Sequence, residues 1–186
     1  GFEAVTIGAV EKHIVDYAWQ QGWVKPIKPL REREQSVGII GAGPGGLAAA
    51  EELRKRGYKV EVYDRYDRVG GLLIYGIPNF KLDKDIVGRR HQRLVDSEIT
   101  FHLNTEVGRD ITMDQLRTKH DAVLIATGAY KARELRVPGI GLENVIPAMR
   151  FLTASNRLGL GETVPEFDDG TLNAKGKRVV VIGGGD

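Results

Sequence analysis

No cysteine occurs among the 186 residues, which removes structural disulfides, thiolate metal sites and redox-active dithiols from this polypeptide. Excess charge is also lacking. Lys plus Arg number 27 against 25 Asp plus Glu, and a net charge of +2 is too weak a field to gather nucleic acid or an anionic membrane. Apolar runs are short: stretches such as Ala122 to Ala126 fall far below the roughly 20 residues that span a bilayer. No charged-then-apolar leader opens the sequence, so a soluble, cytoplasmic protein is expected. His13, His91, His102 and His120 lack metal-ligand spacing and read as ordinary core or surface side chains, so no metal site is expected. No serine or cysteine nucleophile motif is present, and no residue is assigned as a general acid or base.

Glycine is plentiful, with 24 residues, and it gathers in two related patterns. The first is Val37-Gly-Ile-Ile-Gly41-Ala-Gly43-Pro-Gly45-Gly46-Leu47. The second is Val179-Val-Val-Ile-Gly183-Gly-Gly185-Asp186, which stops in mid-motif. Each is an apolar strand running into a glycine turn that brings backbone N–H groups against a pyrophosphate at a helix N-terminus. Two such units imply two dinucleotides, and hence a flavoprotein that exchanges electrons with a nicotinamide. Two complete domains of this kind need about twice the length, so a piece of a longer enzyme is expected.

In the first motif Gly41 allows the tight turn, Gly43 lets the backbone approach the pyrophosphate and Gly46 lets the helix pack on the strand. Pro44 pre-sets the first helical turn, where its missing N–H costs little. Asp64 ends the next strand, about 20 residues on, where an acid accepts hydrogen bonds from a ribose 2′-hydroxyl and repels a 2′-phosphate. This unit should therefore hold the adenosine of FAD or NAD(H), not of NADP(H).

Elsewhere, spacing predicts an amphipathic helix over residues 6–21 with Thr6 as N-cap and Gly22 as the stop. An extended connector follows from Trp23 to Gln35, then strand, turn and helix from Val37 to Arg56, and a strand over Lys59 to Tyr63. The aperiodic stretch Arg65 to Leu82 is expected to be a long functional loop. A helix capped by Asp83 over 84–97, a strand at Ile99 to Leu103, a Thr112/Gln115 capping box and a buried-type strand at Ala122 to Ala126 complete the first unit. Residues 147–177 lack strong periodicity, and a last strand is expected at Arg178 to Ile182. Arg89, Arg90, His91 and Arg93 read as a solvated basic face, with an acidic partner surface or tuning of a flavin as alternatives. Tyr17, Trp19 and Trp23 read as packing the first helix onto the main domain, or as an electron relay.

The run Val69-Gly70-Gly71-Leu72-Leu73-Ile-Tyr75-Gly76-Ile-Pro78-Asn79-Phe80-Lys81-Leu82 is family-specific. With "FEAVTIGAVEKHI", "NTEVGRDIT", "AVLIATGAY" and "KRVVVIGGGD", it resembles the small (beta) subunits of bacterial NADPH-dependent glutamate synthase. More distantly it is similar to the reductase segment of dihydropyrimidine dehydrogenase and to adrenodoxin reductase. The resemblance implies an α/β fold with a Rossmann-like, parallel FAD/NAD(P)-binding sheet. Its parts would be a helical extension and connector at 1–35, the first part of the FAD domain at 36–146, a connector at 147–177 and the start of an NADPH domain at 178–186.

The same resemblance implies that Gly41, Gly43, Gly45 and Gly46 line the FAD pyrophosphate, and that Asp64 and Arg65 meet the ribose and adenine end. Gly70, Gly71 and Leu72 would lead toward the flavin, with Lys81 as a basic FAD contact. Val107 would meet the adenine through its backbone, the Ala126-Thr127-Gly128 turn would lie beside the cofactor, and Gly183 with Gly185 would begin the NADPH turn. It further implies electron flow from NADPH through FAD and iron–sulfur clusters, whose ligands are absent here, to a large (alpha) glutamate-forming subunit. Another electron acceptor, or a catalytically silent subunit-binding domain, are the alternatives. Because the second unit is cut and a C-terminal stretch of the family is missing, weak FAD binding and no NADPH-dependent turnover are expected.

Overall fold

The computed structural model describes residues 6–131 and 135–183. Four strands form one parallel sheet: β1 (Ser36–Ile40), β2 (Lys59–Tyr63), β3 (Thr100–His102) and β4 (Ala122–Ile125), in the spatial order β3-β2-β1-β4. The chain thus builds outward from β1 to β3 on one side and then returns to the other flank of β1. That reversal opens a crevice beyond the carboxyl ends of β1 and β4, the place where open α/β sheets receive ligands.

Helices cover both faces. On one, α2 (Pro44–Lys55) and α4 (Lys84–Val95) bury Leu47, Ala50 and Leu94 against Ile39, Val60 and Val62. On the other, α5 (Met113–Lys119) sets Leu116 on Ile40 and Tyr63. The local signals act as expected: Asp83 accepts the N–H of Asp85, and Thr112 with Gln115 forms the reciprocal capping box.

Several expectations need correction. Helix α1 (Ile7–Gln20) forms, yet Thr6 makes no side-chain cap, and Ile7, Ile14 and Trp23 are 65%, 61% and 66% exposed. Tyr17 and Trp23 therefore do not pack α1 onto the domain. An aspartate does so, with Asp16 accepting from Arg89 at 2.7 Å, and Trp19 lies under the same guanidinium. The basic run on α4 is not a solvated face either. Arg93 and Arg90 donate to Glu51 of α2, and Arg93 also reaches the carbonyl of Lys25. His91 stacks edge-on against Phe101, with its Nε2 buried and unpartnered.

The loop after Arg65 contains a one-turn helix, α3 (Leu72–Tyr75), and the stretch expected to lack period holds α6 (Ala148–Gly159) and α7 (Pro165–Asp168). Helix α6 packs on α3, where Arg157 covers the Tyr75 ring and Arg68 pairs with Glu162. Strand β4 is an edge strand, with Ile125 64% exposed, so it is not buried-type. Residues 178–182 form no strand, because no ladder partner is present among the described residues and Val179 to Ile182 face solvent.

A polar cluster joins β2, β3 and the end of α5. The Glu61 carboxylate accepts from Lys119 at 2.5 Å and from the Tyr63 hydroxyl at 2.9 Å, and it lies 2.6 Å from His102 Nε2. Burial opposes the Glu61 charge, but these partners outweigh it and hold its pKa at about 2 instead of 4.5. A depressed carboxylate pKa stabilises the fold above the unfolded value and loses that stabilisation as pH falls toward the folded one. Melting temperature should therefore drop as pH is lowered from about 5 to about 2.5, and Glu61→Gln should melt lower at pH 6 with a shallower acid slope. An unchanged slope in that variant would mean the cluster does not couple to folding.

Candidate functional site

The crevice is built around one peptide unit. Ala42 is fully buried; its N–H donates to Asp64 Oδ2 at 2.6 Å, and its carbonyl accepts from the Gly70 N–H at 2.9 Å. The glycine turn is thereby locked to the end of β2 and to the loop that follows it. Asp64 Oδ1 also accepts from the Tyr66 N–H at 2.8 Å. A carboxylate offers about four lone-pair directions, so these two bonds leave Asp64 able to accept hydroxyl donors as well.

The glycines of the first turn divide by what surrounds them. Gly41 has φ +109°, and a Cβ there would lie 2.4 Å from the carbonyl oxygen of Ala126. A Cβ at Gly46 would lie 1.9 Å from the carbonyl oxygen of Gly41, so α2 sits directly on the turn. Gly43 and Gly45 have nothing within 4 Å of the same position. The first pair is required by packing, and the second pair leaves bare backbone facing open space. Pro44 follows as the first residue of α2 with Gly43 as N-cap and no side chain capping the helix start, an end that favours an anion.

A cleft of about 270 Å³ opens beside the turn, lined by Gly41, Asp64, Arg65, Tyr66, Val107 and Thr127 among others. Ala126 extends the sheet by donating to the Ile40 carbonyl and places Thr127 and Gly128 at the rim. Gly71 packs against Gly43, where a Cβ would come within 3.0 Å of the Gly43 Cα, and Leu72 leads away from it, half exposed. Of the expected residues, Gly41, Asp64, Arg65, Val107 and Thr127 line this cleft. Lys81 does not line the cleft; it sits exposed on the turn that Pro78 closes. Gly183, also with positive φ, lies on the extended segment away from this cleft, and Gly185 is outside the described residues.

Sequence reasoning missed Tyr66, Thr105, Glu106 and Tyr130, which also line the cleft. All lie within two residues of recognised ones: Tyr66 follows Asp64-Arg65, Thr105 and Glu106 precede Val107, and Tyr130 comes two residues after the Ala126-Thr127-Gly128 turn. It also missed Lys84, whose buried ammonium donates to the carbonyls of Leu73 and Ile77 and so holds α3 in place. Burial lowers the Lys84 pKa. A second hollow of about 280 Å³ lies behind α3, with Arg68, Lys84 and His91 among its walls.

Residues 35–186 match the family model of the pyridine nucleotide-disulphide oxidoreductases. The small chain of NADPH glutamate synthase from Azospirillum brasilense is 62% identical over 98% of this chain and 38% of its own length. The corresponding Escherichia coli small chain is 42% identical over the whole of this chain and 39% of its own. The chain thus spans well under half the length of these relatives. Among solved structures, Mycobacterium tuberculosis FprA in complex with NADPH superposes with a TM-score of 0.61 at 27% identity, covering 67% of this chain and 29% of that one. No helix among the described residues is long and apolar enough to cross a membrane.

The division of the glycines is testable by stability alone. Gly46→Ala should destabilise the fold by more than about 3 kcal/mol or prevent folding, because backbone must move to admit the methyl group. Gly43→Ala should change stability by less than about 1 kcal/mol. Urea unfolding of both variants reads this, and equal losses would contradict the assignment of Gly46 to packing and Gly43 to open backbone.

Proposed function

The chain belongs to the pyridine nucleotide-disulphide oxidoreductase family, and on that premise we propose that residues 36–146 form the first part of an FAD-binding domain. The observation that carries this reading is the bare backbone at Gly43 and Gly45, set at the start of α2 and continuing the turn whose Gly41 lines the same cleft as Asp64. A diphosphate fits such a cradle: it needs close N–H donors and tolerates no Cβ in its path.

In this reading Gly41, Gly43, Pro44, Gly45 and Gly46 hold the diphosphate. Asp64 accepts the ribose hydroxyls while continuing to pin Ala42, and its charge disfavours a 2′-phosphate. Arg65 and the Val107 backbone meet the adenine end, and Thr127 with Gly128 closes the rim. Gly70, Gly71 and Leu72 guide the remainder of the cofactor, and Lys81 approaches it from the exposed turn. When bound, FAD supplies hydride acceptance from a reduced nicotinamide and release of single electrons. The chain's own residues bind, orient and exclude water, and none is assigned a proton-transfer role.

Residues 178–186 are assigned to the first strand and turn of an NADPH-binding domain, with Gly183 and Gly185 in the pyrophosphate turn. The repeated apolar-strand-to-glycine pattern and the left-handed φ of Gly183, +115°, support this. Residues 1–35 are assigned to an extension leading from an iron–sulfur domain, and 147–177 to the connector between the two dinucleotide domains. The similarity to glutamate synthase small chains supports a place in that enzyme: electrons pass from NADPH through FAD and iron–sulfur clusters to a large (alpha) subunit that forms glutamate. This chain has no cysteine to ligate the clusters. The assembly is assigned to the cytoplasm.

Titration of the chain with FAD, followed by flavin fluorescence, tests the reading. Asp64→Ala should weaken binding by about 10- to 150-fold, the equivalent of losing a charge-assisted acceptor worth about 1.5–3 kcal/mol. Gly43→Val should fold and show no binding. A Gly43→Val protein with wild-type FAD affinity would place the diphosphate elsewhere.

A further inference from the structure

Arg65 is held in an unusual way. Its guanidinium lies 4.9 Å from the Tyr66 ring centroid and 4.3 Å from that of Tyr130, and it donates to the Tyr66 hydroxyl at 3.1 Å. The two rings are 6.2 Å apart, so both contribute to fixing one cation. Glu106 lines the same cleft and attracts Arg65 through space, but its carboxylate is paired with Arg109 at 3.0 Å, and Arg65 forms no salt bridge among the described residues.

We propose that Tyr130 is a positioning residue for dinucleotide binding. With Tyr66 it holds the Arg65 guanidinium as a preset planar cation at the adenosine end. The inference rests on the reading of the cleft as the FAD adenosine site and adds to it a residue that acts through Arg65 without hydrogen bonding the ligand itself. The physical basis is the loss of freedom already imposed on a long, flexible side chain. A guanidinium stacked on aromatic faces is ordered before ligand arrives, so less rotamer entropy is lost on binding. Tyr130 is itself 53% exposed, so its replacement leaves the core intact.

The test is a double-mutant cycle on the full 186-residue chain, with FAD affinity read by flavin fluorescence, ADP affinity by calorimetry and folding by thermal melting. Tyr130→Leu should weaken both ligands about 3- to 10-fold, the range of a cation–π contact at a partly exposed site. Tyr130→Phe, which keeps the ring, should stay within about twofold of wild type. In an Arg65→Ala background Tyr130→Leu should cost nothing further. If Arg65→Ala weakens binding and Tyr130→Leu does not, or if the two losses simply add, the positioning role is overturned and the cleft assignment stands. If wild type binds neither ligand, or Asp64→Ala and Arg65→Ala both leave affinity unchanged, the cleft assignment fails and takes the proposal with it.

Discussion

The architecture of the crevice hangs on the Ala42 peptide, whose two hydrogen bonds run to Asp64 and Gly70. A buried backbone group left unpaired costs about 1–3 kcal/mol, so these two bonds fix the turn in one geometry. Gly46 then seats α2 on the Gly41 carbonyl, and the helix begins directly after the turn that ends β1. The bare backbone proposed as a diphosphate cradle is thus a consequence of packing. The glycines that face it are free of packing demands because Gly41 and Gly46 already meet them.

Charged side chains, more than apolar ones, attach the peripheral elements to this centre. Glu51 gathers Lys55, Arg90 and Arg93 and so ties α2 to α4. Arg54, 3% exposed, reaches Glu32, Glu98 and the Ser97 carbonyl, which joins the connector to the far end of α4. Its two carboxylate partners are largely exposed, but Arg54 itself is buried, and removing its partners would leave a desolvated charge uncompensated. Helix α1 is held by the polar Asp16–Arg89 contact while its apolar residues stay in solvent.

The strands, the helices beside them and the glycine turn were legible because each signal is local: period-two apolar residues, capping residues and turn glycines act within a few positions. Asp64 was found for the same reason, at a fixed distance from the turn. Its second task, clasping Ala42, was not, because sequence does not show which backbone donors converge on a carboxylate. Helix α6 was overlooked because its stability comes from contacts with α3 and from Arg157 over Tyr75, which lie far apart in sequence. The arginines of α4 looked solvated because their partners, Asp16 and Glu51, sit on other helices. The strand expected at 178–182 shows the opposite failure: its propensity is strong, but a parallel strand exists only with a neighbour to pair with.

The claim that the first glycine turn and its Asp64 clasp form the FAD diphosphate and ribose site is tested most directly by amide resonances of the isotopically labelled chain during addition of FAD. The account predicts that shifts concentrate at Ala42, Gly43, Gly45, Gly46, Tyr66, Val107 and Thr127, and that Val179 to Gly183 stay unmoved. Shifts confined to 179–183, or to the hollow behind α3, with the turn at Gly41–Gly46 unperturbed, would contradict it.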